Sequence, residues 1–460
     1  MCRKSLLLSI LFIFGVTLLP SISQAMPMWS TKYKVDCSKC HKNDAELGRY
    51  GNEFRFAGFR VPNEIGKDTG DFKIEDYLAG KGAVAAKFSN HDDSTNRSTP
   101  YTRAGIEAGS VTIYPLTGAW GKNFGSNVKI QVDRLNGAED NGQLTIVNLW
   151  AMGVFGDESQ FFSVKLGTME SFAISTSGTV SGMTLGFPSI PLVSKGTGSA
   201  ATYNASSTLL SFTSMTGTES GIELGYNLFH YGDGGSKTTN ISAKITNGIW
   251  YSGLPTASTI AADYNFGSYA GFFNSTNGIT NNRPSYGIAL SQYINDNISL
   301  SLTWYNGLLN NIPLGYTTTT GVNRATTSND TVNRVSLYGK VYLIPGVFDF
   351  IPSVLYGTDK YDNAYLINNT LKGNNSSSSI TINAEFEYHT PTTVLAASYC
   401  YSVPTSVSTG ATISQFGLGG DQRFNQWLFL NSALTYKTTR YLTGGAYNDA
   451  ALLATLMFTL

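Results

Sequence analysis

The chain has 460 residues, and its 31 Lys and Arg balance its 31 Asp and Glu, so its formal net charge is zero. Only 13% of residues are charged, against roughly 25% in ordinary soluble domains, which leaves no electrostatic case for binding nucleic acid. The 42% hydrophobic and 12% aromatic content argues equally against a disordered chain.

At the N-terminus, Arg3 and Lys4 precede an apolar stretch from Leu6 to Leu19, and Ser23-Gln24-Ala25 follows as a small-residue cleavage site. That order predicts a secretory signal peptide over residues 1–25. The 14-residue apolar core falls short of the roughly 20 that a spanning helix needs, which argues against a retained anchor. The mature chain is expected to be exported and to begin near Met26. Cys37, Cys40 and Cys400 then remain, too few for a disulfide framework.

Cys37-Ser38-Lys39-Cys40-His41 has the spacing of a covalent haem attachment site. Two thiols one helical turn apart can add to the porphyrin vinyl groups, and the adjacent His41 can ligate the iron. With 4 Cys and 4 His in 460 residues, chance would place this pattern in roughly 3 of 10,000 chains. Structural zinc would need four ligands, and there is no second Cys or His cluster. A disulfide or a thiol redox pair stays open but gives His41 no part. The expected cofactor is one haem c held by Cys37, Cys40 and His41. Residues 26–80 form the haem segment, and a stretch of about 60 residues is only marginally able to build its own core. Trp29, Leu47, Tyr50, Phe54, Phe56 and Phe59 cannot cover both faces of a haem. The segment is therefore expected to be a short, mostly helical plug that leans on the rest of the protein.

Residues 81–460 read as repeated two-residue alternation, the mark of strands with unlike faces. Ile298, Leu300, Leu302 and Trp304 alternate with Ser299, Ser301, Thr303 and Tyr305. Ile380, Ile382, Ala384, Phe386 and Tyr388 alternate with Thr381, Asn383, Glu385, Glu387 and His389. A soluble sandwich would alternate too. Strands near ten residues, with connections that alternate between short and long, instead predict an all-β transmembrane barrel of the outer-membrane type. Short turns fall at Gly156-Asp157-Glu158-Ser159, Asn295-Asp296, Pro345-Gly346, Thr390-Pro391 and Asp421-Gln422. Long polar connections fall at 170–204, 307–331, 358–377 and 438–449. The pattern yields 16–18 antiparallel strands: eighteen as counted, with those between 160 and 213 the least marked, and sixteen as the alternative. The chain ends with Leu452, Ala454, Leu456, Phe458 and Leu460 on one face, like the last strand of an outer-membrane protein.

Pro27, Trp29, Lys32, Tyr33, Cys37 to His41, Leu47, Tyr50-Gly51, Phe54, Arg55 and Gly58-Phe59 together resemble the N-terminal pattern of outer-membrane cytochrome–porin fusions. That family includes the iron-oxidising outer-membrane c-type cytochromes. The match covers residues 25–60 and departs from the family at Ala45 and at Lys34-Val35-Asp36. The resemblance implies electron transfer across the outer membrane: oxidation of extracellular Fe(II), with electrons passed to a soluble periplasmic cytochrome or another carrier. Outward transfer to an external acceptor and a diffusion porin with an accessory haem segment are the alternatives. One haem cannot lie at both faces of an apolar band about 25 Å tall, so either the donor enters the lumen or the carrier docks at the periplasmic mouth. The sequence is compatible with a homo-oligomer and does not set its order.

Two candidates stand for the second axial ligand. His389 ends a strand running back to the periplasmic rim, on the same face as Glu385 and Glu387. Met28 is tethered near the haem by sequence, with Met26 a variant of the same idea, and thioether ligation raises the haem potential. No cluster spells out an iron site. His91-Asp92-Asp93 and Glu139-Asp140 read as outer-loop residues, and Cys400 as an inert wall thiol. Replacing Cys37 or Cys40 by Ala is expected to abolish haem that survives denaturing electrophoresis, checked by haem staining. Full staining in both variants would remove the haem assignment.

Overall fold

The computed structural model describes residues 27–35, 39–41, 47–70, 73–93, 100–132, 144–170, 218–230, 237–246, 249–250, 284–295, 297–319, 322–361, 365–367, 370–372, 376–405, 411–424, 428–441 and 445–459. The signal peptide, Met26, Cys37, Ala45, Glu139-Asp140, Leu460 and the segments at 205–213 and 260–274 lie outside them.

Sixteen long strands form one closed antiparallel ring. In chain order they are β1 (Ala79–Asp93), β2 (Tyr101–Tyr114), β3 (Phe124–Val132) and β4 (Leu144–Gly156). Next come β5 (Gln160–Glu170), β6 (Thr218–His230), β7 (Lys237–Thr246) and β8 (Ser285–Asn295). Then follow β9 (Ile298–Thr319), β10 (Val322–Ile344), β11 (Phe348–Tyr361) and β12 (Ser376–His389). β13 (Thr393–Pro404), β14 (Ala411–Arg423), β15 (Leu428–Tyr441) and β16 (Ala446–Thr459) complete the wall. Each strand pairs with its sequence neighbour, and β1 closes the ring on β16 from Lys81 opposite Thr459 to Asp93 opposite Tyr447.

Of the 16–18 strands expected, the closed ring has sixteen. β5 pairs directly with β6, Phe162 opposite Tyr226, and β7 pairs directly with β8, Ile245 opposite Tyr286. The connection expected at 307–331 is corrected, because β9 and β10 stay paired out to Thr319 opposite Val322. A bulge between Leu309 and Ile312 lets that ladder continue past Pro313.

Alternation gives the wall two unlike faces. Leu300, Leu302, Trp304, Leu337, Ile382, Phe386 and Tyr399 are exposed on the outside. Ser299, Ser301, Thr303, Ser336, Thr381, Asn383 and Glu385 face inward and are buried. A closed ladder satisfies every internal strand edge, and an apolar exterior needs hydrocarbon, so the chain is an outer-membrane β-barrel. The short turns share one end with both termini of the wall. There Asp157 Oδ1 accepts from Ser159 N at 2.8 Å, Ser159 Oγ at 2.6 Å and Gln160 N at 3.0 Å, bonds that hold its carboxyl below the usual range.

At that end the N-terminal segment packs against the inner wall. Its described part is only partly helical: α1 (Pro27–Tyr33) and α2 (Arg49–Phe56) are joined and followed by turns. Pro27 opens α1, where its fixed φ and missing N–H are no handicap. After α2 the chain reverses through two bonds, Phe59 N to Phe54 O at 2.9 Å and Gly58 N to Arg55 O at 3.2 Å. Gly58 takes φ +67°, the left-handed position that this helix ending requires. Phe59 follows at φ +65°, a conformation that costs a bulky residue about 1–3 kcal/mol. The packing offsets that cost. Its ring stacks on Trp29 at 4.7 Å and on Trp150 of β4 at 5.5 Å.

Phe54, Phe56, Ala57, Phe59, Val61 and Ile65 share one core with Trp150, Met152, Val154, Phe161, Met169 and Phe229 of the wall. Arg60, fully buried, donates to the carbonyls of Lys67 and Gly121 at 2.9 Å and of Phe124 at 3.3 Å, fastening the segment to β3. Phe59→Ala is expected to cost about 3–5 kcal/mol in seating the segment. Limited proteolysis of the folded barrel should then cut within 27–78 while the strand circular dichroism is unchanged.

Candidate functional site

Of the attachment motif, Cys40 and His41 are described and both are half-buried. They lie against the start of α2. Gly48 N donates to Cys40 O at 2.7 Å, and His41 bridges Leu47 in an antiparallel pair. The approach is close enough that a Cβ on Gly51 would stand 2.3 Å from Cys40 O. Lys39 Nζ sits 5.3 Å from the centre of the Tyr50 ring. Burial, with the neighbouring Cys40 and Glu53 adding to it, pushes the Tyr50 phenol up to about 12, so it stays a neutral hydroxyl beside the motif.

Helix α1 brings Met28 into the same unit, 5% exposed. Trp29 and Tyr33, four residues apart on one helix face, both meet Phe54, at 5.2 and 5.5 Å between ring centres. Tyr33 Oη donates to Phe59 O at 2.9 Å. Burial and nearby Glu64 raise the Tyr33 phenol far above its ordinary range, so it too remains a donor.

The donor set fits a haem c: a thiol, an imidazole and a buried thioether in one short segment, backed by a cluster of aromatic rings. Cys40 and His41 would hold it, with Cys37 from outside the described residues and Met28 as the second axial candidate within the segment. Bound there, the group would supply one-electron redox chemistry.

His389 ends β12 at the short-turn rim, on the inward face with Glu385 and Glu387, as its alternation predicts. Its Nε2 lies 3.0 Å from Asp349 Oδ2 and 3.3 Å from Glu387 Oε2, and Lys340 Nζ lies 3.1 Å from each of those oxygens. Wall partners of the segment include Thr238, which donates to Glu53, and Tyr293 Oη, which accepts from Asn52 Nδ2 at 2.9 Å.

His91 belongs to β1 and not to a loop. Its Nδ1 lies 2.5 Å from Asp449 Oδ1 across the closing pair, and Lys437 Nζ meets Asp449 Oδ2 at 3.1 Å. Cys400 sits in β13, buried between the outward Tyr399 and Tyr401.

The apolar inner patch of β4 to β6 escaped the alternation rule. Its signal is a failure of alternation, since Leu149 through Phe155 is apolar on both faces and Phe161-Phe162 is a doublet. Asp349 and Lys340 escaped because they meet His389 only across neighbouring strands.

No family model and no curated protein sequence matches the chain. Among solved structures it is similar to the outer membrane channel DcaP of Acinetobacter baumannii, with a TM-score of 0.48 and 11% identity over 83% of this chain and 96% of that one. An anion-selective porin from Comamonas acidovorans gives 0.46 and 11%, over 83% and 99%. A loop L8 deletion mutant of OmpT, an outer membrane protein of Vibrio cholerae, gives 0.45 and 11%, over 83% and 98%.

Gly51→Ala is expected to push the Cys40 backbone away from α2 and destabilise the segment by about 1–3 kcal/mol. Lower haem staining per folded barrel than in the wild type is the check.

Proposed function

We propose that the chain is an electron-transfer protein of the outer membrane, with one haem c on a segment held inside the short-turn end of the barrel. The observation that carries this reading is the Cys37-Ser38-Lys39-Cys40-His41 motif, on a segment whose aromatic core is completed by the inner wall. An unshielded haem would need apolar cover, and Trp29, Phe54, Phe59 and Trp150 supply aromatic surface next to the motif's helix. Ferrous iron is the proposed donor, and a soluble periplasmic carrier docking at the short-turn mouth the proposed acceptor. This chain's own residues hold the cofactor through Cys37, Cys40 and His41. Burial keeps Tyr33 and Tyr50 protonated, and the packed aromatic cluster restricts water in the segment.

A second reading is a diffusion channel, favoured by the sixteen-stranded ring with its polar inward face. Against it stands the short-turn end of the lumen, where the N-terminal segment packs on β4 to β6. Anaerobic mixing of the purified protein with ferrous iron is expected to reduce the haem, seen in its visible bands, while planar bilayers show little current. Large steady conductance with no haem reduction would select the channel.

A further inference from the structure

We infer that Asp349, Glu387 and His389 form a binding site for a divalent first-row transition-metal ion on the lumen wall, separate from the haem segment, with Lys340 as the gate on it.

The ladder builds this site. Asp349 of β11 stands directly opposite Glu387 of β12, and like charges directly opposite each other destabilise a sheet. Both carboxylates are 0% exposed, so water does not relieve them. His389 N donates to Val347 O at 2.7 Å, which keeps the end of β12 against the start of β11 and the imidazole beside both acids. One ligand atom from each residue lies within 4.8 Å of the other two. An ion held at about 2.0–2.2 Å from each atom needs only small side-chain shifts. Two carboxylate oxygens and one imidazole nitrogen are a ligand set suited to iron, manganese, cobalt or zinc, not to calcium or copper(I).

Lys340 supplies one positive charge, 3.1 Å from each carboxylate. Two carboxylates meet at this one ammonium, and Glu385 is buried on the same face of β12. Asp349 Oδ1 is fully buried and accepts no hydrogen bond among the described residues. A dication would satisfy that oxygen and meet both acids at once. The Lys340 stem, four methylenes long, can carry its ammonium aside when the ion arrives.

The site lies at the same end of the barrel as the haem segment. Its β11 and β12 members are three and four strands along the wall from Tyr293, about 14–19 Å at the ladder spacing. Holding ferrous iron there before oxidation rests on the electron-transfer reading. Ion binding itself does not.

The test titrates full-length protein in detergent with Co²⁺ by calorimetry, the folding of each variant being checked by its strand circular dichroism. One ion per chain is expected. His389→Ala and Glu387→Gln should each weaken it at least tenfold, and Lys340→Met should tighten it at least tenfold by removing the competing cation. Cys40→Ala should leave it unchanged. No binding in the wild type, or binding that is indifferent to His389→Ala and Glu387→Gln, overturns the site. So does binding lost with Cys40→Ala, which would place the ion on the haem segment. Ferrous reduction of the haem in the wild type and in His389→Ala and Glu387→Gln reports separately on the electron-transfer reading.

Discussion

Backbone hydrogen bonding in hydrocarbon is the constraint on which this molecule rests. No water reaches a peptide group in the bilayer core, so a spanning strand must be paired on both edges. The chain meets that demand in one way, by joining β1 to β16 along nearly their full length. Closure makes every wall strand two-faced, and the two faces then meet different media. The outside can be large and apolar. The inside is free to carry whatever the lumen holds, which here is an aromatic cluster on β4 to β6 and a group of paired acidic and basic side chains on β10 to β12.

The N-terminal segment shows what that freedom permits. Its helices are seven and eight residues long, and isolated helices of that length are marginal in water. Packing makes them persist. The left-handed pair Gly58-Phe59 turns the chain so that one ring lies between a tryptophan of the segment and a tryptophan of the wall. Arg60 then converts three loose carbonyls at the rim into a single anchor. Neither the segment nor the inner wall has a complete core without the other.

Much of this was legible from residue order, and the exceptions have physical causes. Strand positions followed from alternation because burial on one face is a local property of each strand. The Cys37 to His41 spacing stands out because it lies within five consecutive residues. Strand number was left between sixteen and eighteen, because alternation marks amphipathic stretches and says nothing about whether a neighbour pairs with them. The ladder of β9 and β10 ran further than expected, since polar side chains on both faces resemble a loop while their backbone can still pair. The partners of His389 were invisible for a different reason. Asp349 and Lys340 reach it through register, and register depends on turn geometry that one strand's own residues do not contain.

The seam between β1 and β16 also sets an order of events during assembly. Residues 79–93 leave the export machinery early and must wait for residues 447–459 before their outer edge is satisfied. Contacts so distant in sequence form slowly, because the intervening chain must first be organised. The segment ahead of β1 precedes the entire wall, yet its core partners Trp150, Phe161 and Phe229 arrive only with β4 to β6. Its final seating is therefore a late step that follows or accompanies the making of the cylinder, and until then its aromatic rings need shelter from some other source.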